Sequence, residues 1–256
     1  MNKITKLSLV TMSLLTTLSA DIIRVEGGAG MWQSTSSGES SYSYNGSTGT
    51  DTITEEDFSK GYAWVLIKQP VPIIPNLRLE YVSTEYNGVV HGSFDEFSIP
   101  DNVSSKSNLT MNQFDIIPYY NILDNTFWVT VDLGLDIKVI QEEYTIDSVS
   151  SPIPGLSYEG YNDSSTIAIP LGYVRARVQI PTTDIGFETD IKYISYDGSS
   201  ITDFRAKVDY TFDMFPVIQP GIEIGYRYQK FDLDDNEGTL INMEYSGVYA
   251  GLMVRF

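Results

Sequence analysis

A chain of 256 residues with 34 acidic against 16 basic side chains, formal charge −18, is a poor partner for nucleic acid or anionic surfaces. It favours cations or basic partners instead. There is no cysteine, which excludes a disulfide framework and a lipid-anchored N-terminal Cys, while 18 Tyr and 20 Gly are typical of barrels with aromatic girdles.

Residues 1–20 carry Lys3 and Lys6, then a mostly apolar run from Leu7 to Leu18, then small residues ending at Ala20. That order is a secretory signal peptide, with cleavage expected before Asp21. Its removal takes two lysines and no acid, so the formal charge moves from −18 to −20. Residues 21–256 then read as a single domain. No other apolar run approaches the ~18 residues of a membrane helix, so a membrane would be crossed by strands.

Ten segments carry a period of two: approximately 21–34, 57–69, 76–88, 109–121, 127–140, 165–180, 184–197, 201–214, 219–232 and 240–256. The clearest has apolar residues at every odd position from Phe127 to Val139, with Trp128, Thr130, Asp132, Gly134, Asp136 and Lys138 between them. Successive side chains of a strand point to opposite faces, so this strand has two unlike sides. In a soluble protein the apolar side meets a core; in an outer-membrane barrel it meets lipid and the charges line the interior.

The connections decide between them. After the second, fourth, sixth and eighth segments they are short: PVPIIP, LDNT, PTTD and MFPVIQ. After the first, third and fifth they are long and polar, and after the seventh and ninth they are the tight polar turns DGSS and DDNEG. Short turns at one end and longer loops at the other predict an all-β, closed antiparallel transmembrane β-barrel, with both termini periplasmic. Ten strands is the expected count, eight the alternative. An even count also lets the first and last strands pair, which removes the edge that lipid forbids.

The charged side of the strands collects Arg24, Glu26, Arg78, Glu80, Asp115, Asp132, Asp136, Lys138, Arg175, Arg177, Glu188, Asp190 and Lys192. Asp203, Arg205, Lys207, Asp209, Asp213, Glu223 and Arg227 complete it. A ten-stranded barrel has a backbone radius of roughly 10 Å, which Arg and Glu side chains largely span. Both signs in near balance at that radius predict a cross-linked lumen; a narrow permeation path or ligand cleft is the alternative. Outside it, residues 35–57 hold Glu39, Asp51, Glu55, Glu56 and Asp57, and residues 141–164 hold Glu142, Glu143, Asp147, Glu159 and Asp163, with no Lys or Arg in either. The net negative charge is therefore expected in extracellular loops, as a solvated rim that attracts cations.

At the C-terminus, Tyr249, Gly251, Val254 and Phe256 of YAGLMVRF resemble the assembly signal of bacterial outer-membrane barrels, which ends in Phe after alternating apolar residues. Near the start, VEGGAGMW, with Gly27, Gly28 and Trp32, resembles a family of small Gram-negative outer-membrane proteins marked by a Gly-Gly pair and a nearby Trp. The resemblance implies fold and location and carries no activity. Taken as backbone geometry, the two glycines mark a strand that bends or admits a neighbour closely.

His91 is the single histidine and falls in the expected loop after the third strand. Omptin surface proteases share the ten-strand size but pair an Asp with a His two residues away on a strand, and no Asp stands there. Ser93 lies two residues from His91, but nothing visible orients the two as a hydrolase needs. The chain is accordingly expected not to be an enzyme. In DLDDNEG, Asp232, Asp234 and Asn236 alternate like the first half of a calcium loop, but Glu237 stands where Gly is required and Met243 where the bidentate Glu belongs. A hairpin turn is expected there, with a weak Ca²⁺ site as the residual reading. No cofactor is expected, and the expected partners are outer-membrane lipid, lipopolysaccharide and the barrel assembly machinery. Two function classes follow: a structural or surface-binding barrel with a closed lumen, or a narrow, weakly cation-preferring passive channel.

Overall fold

The computed structural model describes residues 23–44, 47–71, 73–94, 97–100, 103–150, 157–212, 217–234 and 238–256. Ten strands form the wall: β1 (Arg24–Tyr44), β2 (Ser47–Thr54 and Glu56–Lys68, interrupted at Glu55), β3 (Asn76–Phe94), β4 (Ser105–Thr126) and β5 (Val129–Ile146). They continue with β6 (Tyr161–Gln179), β7 (Ile185–Tyr196), β8 (Ser199–Thr211), β9 (Gln219–Asp234) and β10 (Thr239–Arg255). Every neighbouring pair is antiparallel, and β10 closes on β1 from Glu26↔Arg255 to Tyr42↔Thr239. The sheet has no free edge, the condition a strand wall must meet in lipid.

Outward-facing positions form an apolar band toward the short-turn end. On β5 it is Val131, Leu133, Leu135 and Ile137; on β4, Phe114, Ile116 and Tyr120; on β8, Phe204, Val208 and Tyr210. Further along β4 the outward residues change to Asn112, Thr110 and Asn108, where the wall leaves the band.

Here the structure corrects the sequence reading. The polar stretch 35–57, expected as a loop, is mostly wall: β1 runs on to Tyr44 and the chain returns at Ser47, paired with β1 from Tyr44↔Ser47 to Glu39↔Thr52. In the same way β5 continues to Ile146 and pairs with β6 from Tyr161 onward, so much of 141–164 is strand as well. His91 lies not in a loop but on β3, exposed, opposite Thr50. These stretches pair through their main chains although their side chains are polar on both faces, Ser36 being fully buried on the inner one.

Two irregularities shape the wall. Between β2 and β3 the register jumps from Thr54↔Asn87 to Tyr62↔Val82, so residues 55–61 stand opposite only 83–86. Side chains bridge this break: Lys60 pairs with Glu85, and Asn87 Nδ2 donates to Glu56 Oε2 at 2.8 Å. The second lies at the β4–β5 turn. Phe127 (φ 52°) and Trp128 (φ 65°) are left-handed and exposed, so the strand expected from Phe127 begins at Val129. Trp128 therefore belongs to the turn and not to the inner face.

Candidate functional site: the filled lumen

The inner face is filled by two layers. Toward the short-turn end lie nine buried cations, Arg78, Lys138, Arg175, Arg177, Lys192, Arg205, Lys207, Arg227 and Arg255. Ten buried carboxylates interleave with them: Glu26, Glu80, Asp115, Asp132, Asp136, Glu188, Asp190, Asp203, Asp209 and Glu223. Period-two placement turns all of these inward on β1 and on β3 to β10, and β2 contributes Tyr62, Trp64 and Leu66 to the same space.

Forked contacts dominate the network. Arg227 donates Nε to Asp203 Oδ1 at 3.0 Å and Nη2 to Oδ2 at 2.6 Å. Arg205 places Nε and Nη2 on Asp190 Oδ2 at 3.0 and 2.6 Å, while Arg177 grips both oxygens of Asp209 at 2.5 and 2.9 Å. Planar guanidinium forks of this kind fix direction as well as charge. The lysines bridge strands: Lys138 Nζ reaches Asp115 at 2.7 Å and Asp203 at 3.0 Å, and Lys192 reaches Glu80 at 2.6 Å and also Asp115. Lys207 meets Glu223 at 2.8 Å, Arg175 meets Glu188 at 2.7 Å and also Asp132, and Arg255 meets Glu26 at 3.1 Å and Asp209 at 2.9 Å. Removing one member of such a set would strand a buried charge, which is strongly destabilising.

Trp64 locks one side of this cluster. Lys207 Nζ lies 4.2 Å from its ring centroid and the Arg78 guanidinium 5.1 Å, and its Nε1 donates to Glu223 Oε1 at 2.9 Å. Tyr62 OH donates to the same oxygen at 2.8 Å. Gly28 makes room for the indole, because a Cβ there would sit 2.6 Å from Trp64 Nε1. Gly27 has only ordinary contacts at a Cβ, 3.4 Å and beyond, so of the two it is Gly28 that close approach requires. Trp32 is buried under the Arg227 guanidinium, 5.6 Å from its ring centroid.

The second layer, toward the other end, is apolar and aromatic, a feature missed in reading the inner face as charged throughout. Ile53, Tyr86, Leu109, Met111, Ile140, Phe231, Met243 and Tyr245 are buried together in one cluster. They alternate with outward polar residues, so the hydrophobic signal on these stretches marks the lumen and not lipid. Among them Asp51 is fully buried and accepts from Tyr144 OH at 2.7 Å, Ser107 Oγ at 2.8 Å and Tyr86 OH at 3.2 Å. It was expected on an external rim. Gly88 leaves the space it occupies, since a Cβ would lie 2.2 Å from Asp51 Oδ1.

Several other expected residues lie elsewhere. Arg24 is not enclosed: its side chain is 52% exposed at the mouth, where it pairs with Glu26 at 2.8 Å. A cavity of about 250 Å³ opens there, lined by Arg24, Lys68, Tyr119, Trp128, Arg177 and Arg255 among others. Asp213, Asn236 and the predicted leader 1–20 lie outside the described residues. Asp232 pairs with Lys230 at 3.4 Å, and the backbone N–H of Asp234 donates to Ser199 Oγ at 3.0 Å. Ser93 Oγ shares a hydrogen bond with Ser98 Oγ at 2.8 Å. At the C-terminus Tyr249 points inward, Val254 outward, and the N–H of Phe256 donates to Val25 O at 2.8 Å.

The barrel is similar to the outer membrane protease OmpT from Escherichia coli, with a TM-score of 0.52 and 12% identity over 93% of this chain and 98% of that one. The fold is that of an outer-membrane β-barrel. The translocator domain of the autotransporter NalP from Neisseria meningitidis is also similar, at 12% identity and a TM-score of 0.45, over 98% of this chain and 94% of that one. So is the P. putida toluene transporter TodX, at 10% identity and a TM-score of 0.31, over 94% and 91%. No protein-family model matches the sequence, and no curated protein matches it.

The OmpT likeness corrects one expectation. The chain was expected not to be an enzyme, because His91 lacks the omptin arrangement, but its architecture is one that houses a protease. At 12% identity the fold alone is shared, and no catalytic residue carries across.

Proposed function

We propose that this chain is a bacterial outer-membrane barrel with a closed lumen, serving as a structural or surface-binding protein whose work is done by the wall and connections beyond the apolar band. The observation that carries the reading is the buried network of nine cations and ten carboxylates across the barrel, continued by an apolar layer above it. Such a plug leaves little room for a hydrated ion, and its charges hold each other in place. Binding on rigid scaffolds commonly resides in the segments at their ends.

The same proposal includes export through a cleaved leader, insertion by the barrel assembly machinery with Tyr249, Gly251, Val254 and Phe256 as the signal, and contact with lipopolysaccharide. It also includes membership of the small Gram-negative outer-membrane family marked by Gly27, Gly28 and Trp32. Single-channel recording of the purified protein in planar bilayers tests the closed lumen. Little or no steady conductance at neutral pH is expected. A large, stable, unselective current would replace this reading with a general porin.

A further inference from the structure

Nine of the ten carboxylates in the network have a Lys or Arg nitrogen within 4.0 Å; Asp136 has none. It is fully buried on β5, and neither Oδ1 nor Oδ2 has a hydrogen-bond partner. Directly opposite it on β6 is Leu171, and beside it on β4 is Ile117, both fully buried. The cations near it are committed elsewhere. Lys138, two residues along its own strand, is held by Asp115 and Asp203; Lys192 on β7 is held by Glu80 and Asp115. The other charges acting on it, Asp115 on β4 and Glu80 on β3, are of like sign.

A buried ionised carboxylate without counter-charge or donor is far costlier than the neutral acid. We infer that Asp136 is the proton-binding site of the lumen, held as a neutral carboxylic acid, and that loss of its proton is the event that loosens the plug. Once ionised, Asp136 competes with Asp115, Asp203 and Glu80 for Lys138 and Lys192, the two side chains that tie β5 and β7 to β3, β4 and β8. The loosening step rests on the closed-lumen reading; the proton site does not.

Infrared spectroscopy of the purified protein across a pH series is the test, with bilayer conductance recorded on the same samples. The C=O absorption of a protonated carboxyl is expected at pH 7, lost on alkalinisation as conductance rises, and absent in Asp136→Asn, which stays closed throughout. Should Asp136→Asn not assemble, labelling the wild type with ¹³C-aspartate must shift the band. A wild type with no such band at pH 7, or a band that survives in Asp136→Asn or ignores the label, overturns the proton site. A band with conductance already high at pH 7 keeps the site and overturns the closed lumen.

Discussion

Trp64 on β2 and Glu223 on β9 meet inside the barrel, the indole Nε1 donating to Oε1 at 2.9 Å, with Gly28 on β1, the strand between β2 and β10, directly beneath. The relationship joins β1 and β2, near the start of the chain, to β9, near its end, and it makes Gly28 the residue on which one side of the plug rests. Gly28→Ala would place a methyl 2.6 Å from Nε1, and Trp64 is too enclosed to move far. Overpacking of this kind costs about 1–3 kcal/mol. Gly27→Ala, with 3.4 Å of clearance, should be close to neutral. Urea unfolding of the two variants in the same detergent compares them, and equal midpoints would remove the argument.

The direction of the wall is tested at two neighbouring residues. Val131 faces outward within the apolar band, whereas Thr130 lines the mouth cavity. Val131→Arg should therefore cost about 1–3 kcal/mol of stability in the membrane, since a cation on the lipid face costs about 2–4 kcal/mol at the midplane and less toward the turn end of the band, where Val131 sits. Thr130→Arg should cost less. Folding titrations into lipid vesicles give both values, and a small, equal loss at both sites would mean the apolar face meets something other than lipid.

The charge network predicts what happens when two of its forks are lost. Arg205 holds Asp190 and Arg227 holds Asp203, each through two nitrogens. Neutralising both to Gln leaves Asp190 without a cation and takes from Asp203 its forked partner, leaving it Lys138, so the double variant should be less stable, more conductive, or both. Any current should prefer cations, because the lumen is then acidic. Reversal potentials in a salt gradient measure the preference. Anion selectivity would contradict it.

The β4–β5 turn carries Phe127 and Trp128 in the left-handed region, where Asn and Gly are the comfortable residues of a two-residue hairpin. A left-handed position costs a residue with a Cβ roughly 1–2 kcal/mol. Phe127→Asn with Trp128→Gly should relieve part of this and speed hairpin closure. The same change removes two exposed aromatics near the end of the apolar band, so slower or weaker vesicle insertion is expected alongside. Refolding rates in detergent and in vesicles separate the two effects. Identical shifts in both media would show that the aromatics do no anchoring.

The period of two, the alternation of connections and the charges from Glu26 to Arg227 were legible in the sequence, because in a strand each depends only on local order and on which side of the sheet a residue falls. Strand length was not. The polar stretches of β1, β2 and β5 read as loops because composition reports the solvent on one face, while pairing depends on a neighbouring strand that the sequence does not place. That is why His91 and Asp51 read as loop residues, although both lie on strands and Asp51 is buried beneath Tyr144 and Ser107. Closure also decided partners. Lys192 meets Glu80 across 112 positions of chain and Trp64 meets Glu223 across 159, contacts that exist only once β10 has paired with β1. A list of inward charges can therefore be written from the sequence, but which carboxylate is left without a cation, Asp136, is fixed by geometry alone: an inward side chain pairs with whatever the curvature of the closed wall brings within reach.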